Sequence, residues 1–260
     1  YDRAKGKIEI TDAYVDFGGT RLEADMDANV ATKFQQYWFK PRKESNHYTL
    51  SLRLLDLPMD NFAEVWPKTV TPGGLRWISK NMKKGSFDKA TVTLKGKIDI
   101  NKLSDITIDT GSGEIEVSKG RVTYMDGMPG IDDVDASAVF DLQTMDVSIL
   151  KGHMGKIDIV PFTLRMTGFD KEVQDITIPV GMKGSVTEVL KVLDLPRLGY
   201  TSAIGLTPKD ITGEVEATLT LAMPMLDALL LEDVDVKANA TIKEFSSESL
   251  VPNIAMSKGK

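Results

Sequence analysis

The sequence predicts a mainly β protein built from long antiparallel strands. Three observations carry that expectation. Apolar and polar residues alternate with period two over most of the chain, turn signals recur at short spacing, and only a few short stretches have helical periodicity. Alternation of this kind gives each strand one apolar and one wet face.

Composition fits a folded chain. The 260 residues are 42% hydrophobic and 27% charged, enough for a substantial core and unlike a disordered polyelectrolyte. The balance of 38 acidic against 32 basic residues, net −6, lacks the basic footprint that nucleic acid requires, so no nucleic-acid partner is expected. Absence of cysteine excludes disulfides, thiolate metal sites and a cysteine nucleophile. The most apolar run, Leu219 to Leu231, is interrupted by Thr220, Pro224 and Asp227, short of the roughly 20 residues of a helical membrane span. The opening Tyr1-Asp2-Arg3, with neither initiator methionine nor apolar leader, reads as the start of an internal segment of a longer chain.

In chain order, Lys7 to Thr11 alternates and Gly18-Gly19 supplies a reversal. The cluster Tyr37-Trp38-Phe39 with Lys40, Arg42 and Lys43 has the amphipathic character of a membrane-interface edge, or of a hairpin end folded into the core. A short helix is expected around Phe62, Val65 and Trp66, stopped by Pro67. A second has Thr71 as cap, Pro72 at its first position and Leu75, Ile78 and Met82 on one face before Gly85. Lys80, Lys83 and Lys84 complement its dipole.

Ala90 to Ile100 alternates, as do Asp105 to Asp109 and Glu114 to Val117, with Gly111-Ser112-Gly113 between them reading as a turn. Asp126-Gly127 and Gly152 with Gly155 are further turn signals. Strands follow at Lys156 to Ile159 and Thr163 to Met166. Ser185-Val186-Thr187-Glu188 has the form of a capping box, opening a helix with Val186, Val189, Leu190 and Leu193 on one stripe and Pro196 after it. Asp233 to Lys237 alternates again. Strands of this sort pack as a sandwich, close as a barrel or curl as an open trough, and pattern alone leaves all three open.

Short echoes run through the chain. Leu55-Asp56-Leu57-Pro58 returns as Leu193-Asp194-Leu195-Pro196, Thr71-Pro72 as Thr207-Pro208, and the segment from Gly85 to Thr91 as Gly213 to Thr218, at offsets of 138, 136 and 128 residues. They divide the chain into N-terminal strands (1–54), a helical cap with a β unit (55–183) and a second cap with a β unit (184–260).

Residues for chemistry are sparse. His47 and His153, the only histidines, have no metal-type partner at ligand spacing. Asp132-Asp133-Val134-Asp135 lacks the spacing of a calcium loop and reads as a solvated turn. No Gly-x-Ser-x-Gly elbow or paired-carboxylate spacing is present, and Asn239-Ala240-Thr241 falls in an alternating strand. Neither an enzyme nor a cofactor is expected.

Three segments carry a family resemblance. Val65-Trp66-Pro67-Lys68 is followed by Thr71-Pro72-Gly73-Gly74-Leu75-Arg76-Trp77-Ile78 and by Gly85 to Ala90. Tyr124 to Ile131 is the second segment. The third runs from Gly184-Ser185-Val186 through Leu193 to Pro196, then Gly205 to Pro208, Gly213 and Leu221 to Met225. In this order they resemble the AsmA-like superfamily and, within it, the large YhdP-type members, over about Leu50 to Phe245. The resemblance implies a long, curled, taco-like antiparallel sheet with an apolar concave groove and short amphipathic cap helices. It also implies a periplasmic location, an inner-membrane anchor outside this chain, and transport of phospholipid toward the outer membrane of Gram-negative bacteria. The implied partners are phospholipid acyl chains, adjoining segments of the same longer chain, and membrane proteins at either end.

On that resemblance the groove floor is expected at Val92, Leu94, Ile106, Ile108, Ile115, Val117, Phe140, Val147, Ile149, Ile157, Ile159, Leu164, Met166, Ile176, Ile178, Leu219 and Val236. The residues alone do not separate a lipid floor from an ordinary core. An uncovered apolar face along the strands points to a carrier, and a face packed by the protein itself points to a scaffold module in outer-membrane biogenesis.

Overall fold

The computed structural model describes residues 7–29, 46–66, 72–99, 102–124, 127–196, 208–226, 230–251 and 254–259. The aromatic and basic cluster at 37–43, the Thr71 cap, the Asp126 turn position and Thr207 lie outside them.

The strands are β1 (Lys7–Phe17), β2 (Thr20–Asn29), β3 (His47–Pro58), β4 (Met82–Lys83), β5 (Ser86–Asp99), β6 (Lys102–Val122), β7 (Ile131–Asp141), β8 (Thr144–Met154), β9 (Ile157–Val160), β10 (Phe162–Thr167), β11 (Asp175–Ser185), β12 (Ile211–Pro224), β13 (Asp235–Val251) and β14 (Ile254–Gly259). All belong to one antiparallel sheet, ordered β1-β2-β3-β5-β6-β7-β8-β10-β11-β12-β13-β14, with β4 beside β6, and β9 between β8 and β11. Apart from the two-residue β4, chain order and spatial order therefore coincide, and the 54/55 and 183/184 divisions fall inside β3 and β11 of this one sheet.

The described strands all belong to this one sheet, so among the described residues there is no second sheet to lie on it. The accessible surface is 17410 Å², against roughly 11,000 Å² for a compact folded chain of this mass.

Because every neighbouring pair is antiparallel, connections alternate between two margins of the sheet. The three α-helices all occupy one of them, while the 3-10 turn Leu231–Asp233 lies at the other. A 3-10 turn, Met59–Asn61, leads into α1 (Phe62–Val65), followed by α2 (Pro72–Asn81), and α3 (Val186–Leu193) links β11 to the segment before β12. Leu57, Met59, Phe62 and Phe87 form a buried cluster there, with Trp66, Ile78, Ile115 and Val117 packed on it. The Phe62 ring lies 5.1 Å from that of Trp66 and 5.2 Å from that of Phe87. Val186, Ile211 and Val215 form a second cluster under α3. A third, Ala28 and Tyr48 with Leu50, Leu94 and Ile98, lies toward the opposite margin.

Several local expectations are corrected. The Gly111-Ser112-Gly113 segment is no turn: it lies inside the 21-residue β6, which joins the two strands expected around it. Glycine serves there because a Cβ on Gly113 would collide with the Phe140 ring and the Thr91 carbonyl oxygen. Gly152 likewise sits within β8, and Gly155 (φ 61°) alone of that pair makes the turn into β9. Met82 leaves α2 to pair with Val122 in β4. The Ser185 side chain makes no capping hydrogen bond; the Thr187 hydroxyl instead donates to the Ile211 carbonyl at 2.6 Å, tying α3 to β12. Asp132 to Asp135 is not a turn but the start of β7. Gly18 and Gly19 do form the expected hairpin turn, with φ of 61° and 91°.

Irregularities cluster toward the helical margin, with others at Ile10/Ala13 in β1 and at Lys95/Gly96 and Lys97/Asp99 in β5. Register shifts occur between Phe87 and Lys89, Val117 and Gly120, Asp132 and Asp135, and Thr212 and Glu214, and Asp56, Lys119, Asp133 and Glu244 have positive φ. The bulges are held by polar partners. Asp88 accepts from the hydroxyls of Ser86 and Ser118, and Asp135 accepts the Lys119 backbone N–H at 3.0 Å. Each bulge bends its strand and increases local twist.

Candidate functional site

Cross-strand register decides which side chains share a face, since residues directly opposite in an antiparallel pair point the same way. One row runs Leu52, Val92, Gly113, Phe140, Met145, Met166, Ile176, Met223 through eight strands. A parallel row runs Leu22, Leu54, Ala90, Ile115, Ala138, Val147, Leu164. The opposite face reads Glu23, Arg53, Thr91, Glu114, Val139, Asp146, Arg165, Thr177, Ala222, Asp235. Along these rows one face is apolar and the other is wet.

All seventeen expected floor residues fall on the apolar face. Leu94 pairs with Leu50, Ile108 with Gly96, Val117 with Phe87 and Ala136, and Ile149 with Ala136 and Phe162. Ile178 pairs with Leu221, Leu219 with Val180, Val236 with Leu221, and Ile159 with Met182. Ile106 and Ile157 share the parity of Ile108 and Ile159.

Their exposure differs. Ile106, Ile108 and Val236 are 48%, 50% and 57% exposed, whereas Ile157 and Ile159 are 2% and 4%. The other twelve are half-buried. Ile157 is buried beside Val192 of α3 and Leu195, which follows it. A residue flanked by sheet neighbours but lacking a layer above it stays half-buried, and that is the condition of most of this face.

Sequence reasoning missed many floor positions. Leu22, Met26, Leu50, Leu52, Leu54, Met145, Phe162, Val180, Met182, Leu221 and Met223 lie on the same face by register. The signal was available, since Arg21 to Ala28 alternates as cleanly as the strands that were recognised.

The wet face is tied by cross-strand ion pairs: Arg53 with Glu23 at 3.4 Å, Lys89 with Glu116 at 3.8 Å and Arg165 with Asp146 at 3.6 Å. Such exposed pairs are each worth at most about 1 kcal/mol. Near the helical margin, Arg121 binds both oxygens of Asp132 at 2.7 and 3.0 Å. Asp135 is held below its ordinary pKa by the Lys119 N–H and by Lys151, 2.9 Å away. His153 approaches Asp133 at 3.8 Å. Burial raises the Tyr124 phenol, whose hydroxyl faces Met154 Sδ at 3.9 Å. Among the described residues no three His, Asp or Glu side chains converge to hold a metal ion. No described helix is long and apolar enough to cross a membrane.

Compared with protein-family models, curated proteins and solved structures, the chain matches none. The AsmA-like resemblance therefore rests on the motif residues alone.

Proposed function

We propose that this chain is a stretch of a bridge-like lipid carrier, anchored in the inner membrane by a segment outside it, that passes phospholipid through the periplasm toward the outer membrane. The observation that carries the reading is the continuous apolar face of a single sheet, with no second sheet among the described residues and cap helices packed only toward one margin. A monomeric soluble protein rarely leaves so large an apolar surface uncovered unless something binds there.

Acyl chains suit this face. Their burial is worth roughly 25 cal/mol per Å², and the cross-strand rows offer similar apolar rungs from β2 to β13. A chain moving from one rung to the next exchanges like contacts for like, so it meets no deep trap and the chain needs no catalytic group. The bulges clustered toward the helical margin support a curled sheet, because successive bends there fold the apolar face inward. Adjoining segments of the longer chain and membrane proteins at either end complete the path in this reading.

The test is positional. A photoreactive amino acid at Val147, on the apolar face, should label phospholipid in the bacterial envelope, and the same residue at neighbouring Asp146, on the wet face, should not. Equal labelling at both positions, or none at either, sinks the carrier reading and favours a scaffold.

A further inference from the structure

Between the β8–β9 hairpin, the 127–129 loop and α3 lies a pocket of about 420 Å³. Its walls are apolar, with Met128, Met154, Ile157, Val192 and Leu195, and Lys156, Lys191 and Glu188 stand at its rim. Ile157 belongs to the apolar face, so the floor of the sheet runs directly into this pocket.

The rim charges are accessible. Lys191 Nζ lies 2.7 Å from Glu188 Oε1, with half of the lysine side chain exposed. Lys156 is exposed and pairs with no carboxylate among the described residues. Both lysines act on Glu188, whose carboxyl is held below its ordinary value first by the Lys191 hydrogen bond and then by the charges of Lys191 and Lys156. Two ammonium groups against one carboxylate leave the rim with a positive excess.

The other ends of the same strands are more acidic. Asp141, Asp170, Glu172, Asp175, Glu232 and Asp235 are all exposed there, against Lys171 and Lys237. A phosphate is repelled from that margin, whereas the helical one sets the exposed Lys151, Lys156, Lys183 and Lys191 against Asp133, Asp158 and Glu214.

We infer that the pocket beneath α3 seats the phosphodiester headgroup of a glycerophospholipid, with Lys156 and Lys191 binding the phosphate while the acyl chains lie on the floor from Ile157 outward. The inference rests on the carrier reading and adds an orientation to it: headgroups travel along the helical margin. Lysine suits the task, since a flexible ammonium binds phosphate as a point charge without fixing its angle.

The test uses the 260-residue chain and two photoreactive lipids with identical acyl chains, a phosphatidylglycerol and a diacylglycerol. The parent chain should label with the phospholipid about tenfold more efficiently, as expected for one or two charge-assisted contacts. In the double variant Lys156→Gln, Lys191→Gln the two lipids should label within about twofold of each other, with diacylglycerol labelling unchanged. Equal labelling by both lipids in the parent overturns the headgroup seat and leaves the floor standing. Labelling by neither overturns seat and carrier reading together. Loss of the phospholipid preference in millimolar inorganic phosphate assigns the pocket to a free anion and also overturns the proposal.

Discussion

The ring of Phe140 lies directly over Gly113, its cross-strand partner on the apolar face, in the space a side chain would otherwise fill. The contact joins β6 to β7 in the middle of the longest apolar row, and it explains a glycine in the interior of a 21-residue strand.

Replacing Gly113 by Ala should destabilise the sheet by about 1–3 kcal/mol, the usual cost of overfilling a packed site. A Cβ would also strike the Thr91 carbonyl oxygen, which is backbone and cannot swing away. The double variant Gly113→Ala, Phe140→Ala should therefore recover only part of the loss. Urea unfolding of the two singles and the double measures the coupling; full recovery would place the whole constraint in the ring.

Aspartate substitutions separate the open floor from its covered margin. Leu164 is half-buried within the apolar row opposite Val147; if that face is open, Leu164→Asp should keep the fold and cost no more than about 1 kcal/mol. Ile157 is 2% exposed, and Ile157→Asp should cost at least about 3 kcal/mol because the new carboxylate has no buried partner. Circular dichroism melting of both variants checks the contrast. Similar large losses would mean that Leu164 is covered too.

The β7–β8 hairpin should weaken in acid. Asp141 accepts the backbone N–H groups of Gln143 at 2.8 Å and Thr144 at 2.7 Å, and these bonds hold its carboxyl below the ordinary 3.8. Since the folded value is the lower one, the stabilisation is fully present above that ordinary value and is lost as pH falls through the folded one. Asp141→Ala should lower the melting temperature at neutral pH, and the gap between variant and parent should close as acidification protonates Asp141 in the folded state. A gap unchanged by pH would show that the charge is irrelevant.

The sheet also has a seam. β11 pairs with β9 at 181–183 and with β10 at 175–177, with no paired residues between these stretches. Pro161 and Pro179 lie on either side of that gap, and neither has an N–H to donate. Amides of 162–164 that face β11 should exchange with solvent faster than those facing β8, whose ladder is continuous there. Equal protection on both sides would show that the seam is closed in solution.

The alternation of apolar residues was enough to place Val92, Val147 and Met166 on one face, because period two and strand pairing permit no other arrangement. The number of layers was not legible: the same alternation at Ile115 or Leu164 serves a sandwich equally well, and the absence of a partner sheet has no local signal. Gly113 was misread because glycine marks both turns and close approaches. The bulges at Asp56, Lys119 and Asp133 gave no sign, since an extra residue with positive φ depends on the partner strand. Echoed tetrapeptides also mislead: Leu55 to Pro58 ends a strand, whereas Leu193 starts its counterpart at the end of a helix. The pocket beneath α3 joins residues from three separated segments, and no spacing rule connects Lys156 to Lys191.

Native mass spectrometry of the chain purified from a bacterial periplasm, with extraction and identification of whatever co-purifies, tests the carrier reading most directly. The account predicts bound phospholipid, retained by the parent and lost on Leu164→Asp with the fold intact. A lipid-free chain that also fails to take up added phospholipid would contradict it.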